Sequence, residues 1–549
     1  MPARHPSPRP ARRVLVAALS LLVLPCSVAR AQWLGGVGED ARVMPRGTVR
    51  VTVEGQLSHY DERYDAAGER VPVAGALADA DLSAAAMPVL QPLQAQAAAL
   101  GVGDLRLTLG RLDVAADVSR AEIPVRFDVG LGARLQLSAT IPYVQTHVAV
   151  RAGLNPNASE GNLGINPALA GGDAMARNDQ VVSQLRAAAA ALRAQLDGCA
   201  TGAGAPACAD PEAASALATS AEAYAASVAV IYGGSDGAGS AVVPIQVSDA
   251  GAAVLARLGE LRTQLATYGI TGIDPEAAPV GAVAPLTLPD LQQLLAAPGL
   301  GLERLRNVSR YGIGDVEVGA RFALRELPLP VADAPRPALA WRATLGALVR
   351  LGTGRPDDPA NLLDVGIGDG QHDVELSALA DLFAGRLGTS VVARYGMQLA
   401  DERELRVPAG EEVVIPASAT LTTVSRDLGD YVELELTPRY ALTHFLGVAA
   451  HYRFRAKGAD RYTSAGDGAD PAALARLGAG TESREQILGG GLVLSTLAAV
   501  AAGEMRTPLE VWYRHTVTIA GRGTTAVHAQ RDEVALRVYL DIFGGARRR

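Results

Sequence analysis

Residues 122–143 read Glu-Ile-Pro-Val-Arg-Phe-Asp-Val-Gly-Leu-Gly-Ala-Arg-Leu-Gln-Leu-Ser-Ala-Thr-Ile-Pro-Tyr. Ile123, Val125, Phe127, Val129 and Leu131 alternate with Glu122, Arg126, Asp128 and Gly130. After Gly132-Ala133 the alternation resumes as Leu135, Leu137, Ala139, Ile141 and Tyr143, with Arg134, Gln136, Ser138 and Thr140 between them. A period of two places successive side chains on opposite faces of a strand. Two alternating segments of about ten residues, joined by a tight turn, form the repeating unit of a transmembrane β-barrel.

The unit recurs along the chain. It is read at Val49 to Leu57, Val316 to Leu324, Trp341 to Leu351, Val374 to Leu382 and Val391 to Leu399. It is read again at Val432 to Leu436, Leu446 to Phe454, Leu509 to Ile519 and Val534 to Ile542. The Gly-rich stretch Gln486 to Leu497 alternates less cleanly and completes an even number. The expected fold is an all-β, antiparallel transmembrane barrel of about 12 strands. Connections near 132, 385 and 443 are a few residues, and those near 330 and 502 about ten. Those at 60–118, 150–310, 353–370, 401–430 and 458–483 are long, and only the one near 522 is a short outer loop. Short turns belong on the periplasmic side and long loops outside. Both termini then fall in the periplasm.

The first 31 residues read as a signal peptide. Arg4, Arg9, Arg12 and Arg13 precede the apolar run Val14 to Leu24, and Ala29-Arg30-Ala31 supplies a cleavage pattern before Gln32. Cys26 follows Pro25 and Val23, a poor lipid-attachment site. No later segment is an uninterrupted apolar helix span of the roughly 20 residues a bilayer needs. The formal charge is −8, and removing the signal takes away five arginines and no acids, which argues against nucleic acid as a partner. Cys199 and Cys208 remain. In an oxidising compartment they are expected to form a disulfide, a metal or redox pair being the weaker alternative.

Two long connections carry helices of their own, a smaller helical loop at about 66–115 and a helical insertion at about 151–308 within the barrel domain 32–549. In the insertion, Val181 to Leu196 ends at Gly198, and Asp210-Pro211-Glu212 caps a second helix. Ala252 to Tyr268 and Leu288 to Asn307 follow. The insertion belongs on the outer face, as a cap or an inward-folded plug.

The polar phase of the strands faces the lumen. It comprises Arg126, Asp128, Arg134, Asp315, Glu317, Arg321, Arg342, Arg350, Asp373, Glu375, Arg394, Glu433, Glu435, Arg439, Arg453, Arg455, Glu510, Arg514, Glu533 and Arg537. About 12 strands enclose a narrow interior, so a filled or constricted lumen is favoured over an open pore. A catalytic reading has only His515 beside Thr516 to work with, without a serine on the same face, so no enzyme and no cofactor are expected. The acidic loops at Asp357-Asp358 and Asp460 to Asp470 lack calcium-loop spacing.

Four stretches carry a resemblance: Ala139-Thr-Ile-Pro-Tyr143, Tyr311-Gly-Ile-Gly-Asp-Val-Glu-Val-Gly-Ala-Arg-Phe322, Leu351-Gly-Thr-Gly-Arg-Pro-Asp357 and Gly366-Ile-Gly-Asp-Gly-Gln-His-Asp-Val-Glu-Leu376. With these the chain resembles the outer-membrane β-barrel family named for the meta-pathway of phenol degradation, and more loosely the long-chain fatty-acid outer-membrane channels. The resemblance implies passive uptake of small hydrophobic or aromatic molecules across a Gram-negative outer membrane. Outer-membrane lipid, lipopolysaccharide and the barrel-assembly machinery are the expected partners of a monomer. The rival reading is a surface barrel whose helical insertion binds a partner or ligand. Two features depart from the family: the helices of 176–307, and an ending beyond Phe543 instead of on a terminal aromatic.

Overall fold

The structure, a computed structural model, describes residues 37–541 apart from 157–159, 201, 203, 236, 238, 326–338 and 467–469. The signal peptide and the chain end at Phe543 lie outside the described residues. Twelve strands build the wall: β1 (Thr48–Tyr60), β2 (Thr108–Gly130), β3 (Leu135–Leu154), β4 (Val316–Arg325), β5 (Ala340–Leu351) and β6 (Asp373–Ala384). The second half is β7 (Leu387–Gln398), β8 (Tyr431–Ala441), β9 (Leu446–Lys457), β10 (Ser483–Ser495), β11 (Leu509–Arg522) and β12 (Gln530–Asp541). Each pairs antiparallel with its sequence neighbour, and β1 also pairs with β12, so the sheet closes on itself without an edge. Every segment expected from alternation is one of these strands, including the Gly-rich β10.

Same-face register explains the strength of the wall. Val53 faces Val125 on β2, and Arg50 faces Asp128 on the other side of the same two strands. Glu317 faces Arg350, and Arg350 faces Asp373. Directly opposite residues of an antiparallel pair share a face, so these are cross-strand charge pairs. The outward phase is apolar and bare: Val53, Phe127, Leu137, Leu345, Leu376 and Leu434 are each 40–49% exposed. The inward phase is polar and buried, with Asp128, Gln136, Asp381 and Glu510 at 0%. That distribution is the reverse of a water-soluble domain. A continuous apolar belt this large requires lipid around it. Trp341 at the periplasmic end and Tyr143 and Tyr395 toward the outer end are exposed on the belt, where amphipathic rings sit at headgroup level.

β2 and β3 are longer than their membrane portions. The expected helical loop at 66–115 therefore stops short of 115, because β2 begins at Thr108, and the insertion at 151–308 begins later, because β3 runs to Leu154. The cause is a change of chemistry on one face. Below residue 120 in height, toward the periplasm, the lumen-side positions of β2 are Glu122, Arg126 and Asp128. Toward the outside they become Leu112, Val114, Ala116 and Val118, all 4% exposed or less. These apolar positions pack under the helices of the insertion, with Leu185, Leu192, Tyr224, Val228, Leu258 and Leu261 in one core.

The insertion contains α1 (Asp173–Cys199), α2 (Pro211–Tyr232), α3 (Asp249–Thr267) and α4 (Leu288–Leu295). Asp210 caps α2 by accepting a hydrogen bond from the Ala213 N–H at 3.0 Å. α2 is long and apolar enough to cross a membrane. It is instead a core helix of the cap, with Tyr224, Ala225 and Val228 at 0% exposure. α1 begins eight residues earlier than Val181, and the helix expected over Leu288 to Asn307 ends at Leu295, after which the chain extends into the strand Val308–Ile313. Cys199 and Cys208 are joined, with Cα atoms 5.4 Å apart, across the α1–α2 connection. Closing that short loop stabilises the cap by roughly 2–3 kcal/mol through the unfolded chain. The insertion is a cap, because it packs on the lumen-side face of β2 and β3 above the charged stretch.

Candidate functional site

Ahead of β1 the chain does not remain in the periplasm. Residues 37–46 turn back into the barrel as a strap along the lumen. Gly130 makes the entry passable: a Cβ there would come within 2.6 Å of the Pro45 carbonyl carbon. The Met44 N–H donates to Gln136 Oε1 at 2.9 Å, and the Ala41 N–H donates to Asp381 at 3.2 Å. The Thr344 hydroxyl donates to the Ala41 carbonyl at 2.7 Å. Val37 packs with Val493, Trp512 and Ala535, and Ala41 with Leu379 and Val392.

The strap is held chiefly by charge. Glu39 receives Arg126 at 2.8 Å, Arg321 at 2.8 Å and Arg394 at 2.9 Å, from three different strands. Asp40, with its side chain 0% exposed, receives Arg50 at 3.1 Å and Arg537 at 3.3 Å. Charge-assisted bonds of this kind are strong where water is excluded. Removing Glu39 leaves Arg321 without its carboxylate, whereas Arg126 keeps Asp128 and Arg394 keeps Glu435.

Above the strap lies a chamber of about 750 Å³. Its floor is Gly38 and Glu39, and its wall is charged: Arg126, Glu317, Arg321, Arg350, Asp373, Glu375, Arg394, Glu433, Glu435, Arg453, Arg455, Arg514 and Arg537 all border it. Arg350 bridges Glu317 at 2.8 Å and Asp373 at 2.9 Å. Arg394 joins Glu435 at 2.6 Å and also contacts Glu433. The roof comes from the connection after β5 and from Arg403 and Arg426. Asp315 fixes this roof by accepting the N–H groups of Gly354 at 2.8 Å and Asp369 at 3.1 Å. Burial raises the Asp315 carboxyl above its usual range in spite of those donors. Gly354 and Gly368 are needed where the two arms of the roof meet, since a Cβ on either would lie 2.7 Å from the other's Cα. Three of the four stretches that carry the family resemblance thus converge on one structure, the roof.

The remaining inward residues lie elsewhere. Asp128, Arg342 and Arg439 are buried below the chamber, around the strap. Arg439 donates to Ser390 Oγ at 2.8 Å, and Glu510 accepts from the Tyr539 hydroxyl at 2.6 Å. Glu533 accepts from Trp512 Nε1 at 2.9 Å. Arg134 is a correction: it stands exposed in the periplasmic turn between β2 and β3 and does not line the lumen. The alternation carries it into phase, but the strand starts one residue later, at Leu135.

His515 faces outward and lies 2.9 Å from Asp532, which also accepts the Tyr513 hydroxyl at 2.7 Å. Thr516 is on the opposite, lumen side of β11, so no nucleophile–base pair forms there. Asp357 of the acidic loop pairs with Arg403 at 3.2 Å. Among the described residues no group of three or more His, Cys, Asp or Glu side chains could hold a metal ion. The strap was missed by pattern reading, since Val37-Gly-Glu-Asp-Ala41 has neither strand nor helix periodicity. Its one signal is an acidic pair ahead of a barrel whose inward phase is rich in arginine.

No protein-family model and no curated protein matches the chain. Among solved structures, an outer membrane channel from Pseudomonas putida F1 is similar at 10% identity and a TM-score of 0.39, over 92% of this chain and 100% of that one. The toluene transporter of Ralstonia pickettii is similar at 7% identity and a TM-score of 0.26, over 91% and 90%. A FadL homologue from Pseudomonas aeruginosa is similar at 8% identity and a TM-score of 0.23, over 90% of each chain.

Proposed function

We propose that the chain is a passive channel of the Gram-negative outer membrane for small molecules, of the hydrophobic or aromatic class that the sequence resemblance implies. The observation that supports this best is the chamber of about 750 Å³ inside a closed, lipid-facing wall. That volume is within the range of sites that hold small organic ligands, roughly 300–1,000 Å³. The strap sets the resistance of the path, because it occupies the lumen between the chamber and the periplasm. Lipid and lipopolysaccharide around the apolar belt, insertion by the barrel-assembly machinery, and a monomeric state belong to the same proposal.

Planar-bilayer recording and liposome swelling with the purified chain test it. The intact protein should give small conductance steps and slow swelling, and a chain lacking 37–46 should give larger ones. Absence of flux from both would end the channel reading. One observation favours the rival, a surface barrel that binds through its cap: α1–α4 contribute no residue to the chamber wall. Removing 160–306 should leave flux in place if the channel reading is right.

A further inference from the structure

Beside the chamber the wall holds a smaller recess of about 60 Å³, bordered by side chains of β1, β8, β9, β10, β11 and β12. Gln56, Glu435, Arg453 and Arg514 border both spaces, so the two are contiguous. β10 closes one side of the recess through Ile487. Its inward positions run Ile487, Gly489, Gly491, and Gly489 stands between His451 on β9 and Thr516 on β11. Arg453 of β9 pairs with Ile487 and Arg514 of β11 with Gly491, and together with Arg531 of β12 they bring three guanidinium groups to the border of one recess.

Of the three arginines of this recess only Arg514 has a close carboxylate partner within it. The nearest carboxylate to Arg453 is Glu433, at 3.9 Å. Arg531 donates Nε to Ser58 Oγ at 3.1 Å, a neutral partner. The two acids that border the recess are engaged: Glu435 by Arg394 at 2.6 Å, and Glu533 by Arg514 at 2.5 Å and Trp512 at 2.9 Å. His451 adds no acid either. Its Nδ1 lies 3.1 Å from Arg514 Nη1, and a guanidinium can only donate, so that nitrogen carries no proton. Arg453 Nε and Arg514 Nε are both buried without an acceptor. Buried donors without partners are costly and are usually met by a ligand or water. Guanidinium groups gathered at one recess with Nε donors unused call for an oxyanion there.

We propose that this recess docks the carboxylate of a small organic acid whose body stays in the chamber. A volume of about 60 Å³ takes a carboxyl group and excludes a ring. The biological meaning rests on the channel reading, but the binding claim stands separately.

The test is calorimetric titration of the detergent-solubilised full chain with sodium benzoate, benzamide and sodium chloride, alongside bilayer recording. Benzoate should bind saturably, and benzamide, of the same shape without the charge, at least tenfold more weakly. The double variant Arg453→Gln with Arg531→Gln should weaken benzoate about tenfold or more. Arg453→Lys, which keeps the charge and loses the fork, should fall between, and Arg193→Gln on the cap surface should change nothing. Heat-modifiable gel migration checks that each variant folds. Equal binding of benzoate and benzamide, or unchanged benzoate affinity in both Arg453 variants, overturns the proposal. So does chloride that binds as tightly as benzoate, which would make the recess a general anion trap. Benzoate binding without conductance would keep the recess and sink the channel. Conductance without discrimination between the two probes would do the reverse.

Discussion

The two halves of β2 share one backbone and one inward face, yet that face is charged from Glu122 to Asp128 and apolar from Leu112 to Val118. The lower half looks onto the charged lumen and the acidic strap. The upper half looks onto the helical cap. Both halves obey the same alternation, so period two states which side chains share a face and nothing about what covers it. The cover decides the chemistry: ionic where arginines and carboxylates meet, apolar where helices pack.

The contrast can be broken from either end. The largest effect is expected at the strap, where Glu39→Gln leaves three arginines with one charge fewer among them. About 3–5 kcal/mol of stability should be lost, read as a lower thermal midpoint of the detergent-folded barrel, together with a rise in single-channel conductance. Unchanged conductance would show that the strap does not limit the path. In the upper half, Leu185→Ala removes a fully buried side chain of the cap core and should cost about 3 kcal/mol. The loss should be confined to the cap: faster cleavage by protease within 160–306, with heat-modifiable migration of the barrel unaltered.

Two smaller changes sharpen the boundary between the halves. Cys199→Ser should cost roughly 2–3 kcal/mol, again visible only as cap proteolysis, and reduction of the native protein should reproduce it. Phe127→Arg places a charge on the lipid face near the periplasmic end of β2. Roughly 1–2 kcal/mol is expected there, between the values for the mid-plane and the interface, read as a denaturant midpoint in lipid vesicles. A loss as large as that from Leu185→Ala would mean that Phe127 sits deeper in the bilayer than its place on the strand indicates.

All twelve wall strands were legible because lipid on one side and a charged lumen on the other impose strict alternation. Legibility failed wherever a second layer of protein replaced lipid or water. The outer ends of β2 and β3 were assigned to loops, since Leu112 to Val118 break the polar phase. α1 was begun late, because Asp173 to Gln180 offers few apolar positions to a periodicity count. Residues 296–307, rich in leucine, arginine and glycine, looked helical and instead bind the roof, where Arg406 donates to the Gly301 carbonyl at 2.7 Å. Much of the chamber wall could be named from the inward phase, whereas Asp128, Arg342, Arg439, Glu510 and Glu533 lie outside that wall, Arg134 stands in a turn, and Glu54, Arg120 and Glu122 were not picked out. The chamber's floor could not be named, because the contacts of Glu39 join positions as far apart in sequence as Arg126 and Arg394. The recess at Arg453 was equally silent, since it gathers Arg453, Arg514 and Arg531 from three strands.

Asp40 touches Arg50 and Arg537, and those arginines sit on β1 and β12, the first and last strands to be made and the two that must find each other for the cylinder to close. One carboxylate therefore acts as a latch across the seam. During biogenesis the ends of the sheet cannot be latched through Asp40 until both are in place, so this bridge reports closure of the barrel. A barrel still open at that seam lacks the Arg50–Asp40–Arg537 bridge, and only the closed one completes the fastening of its strap.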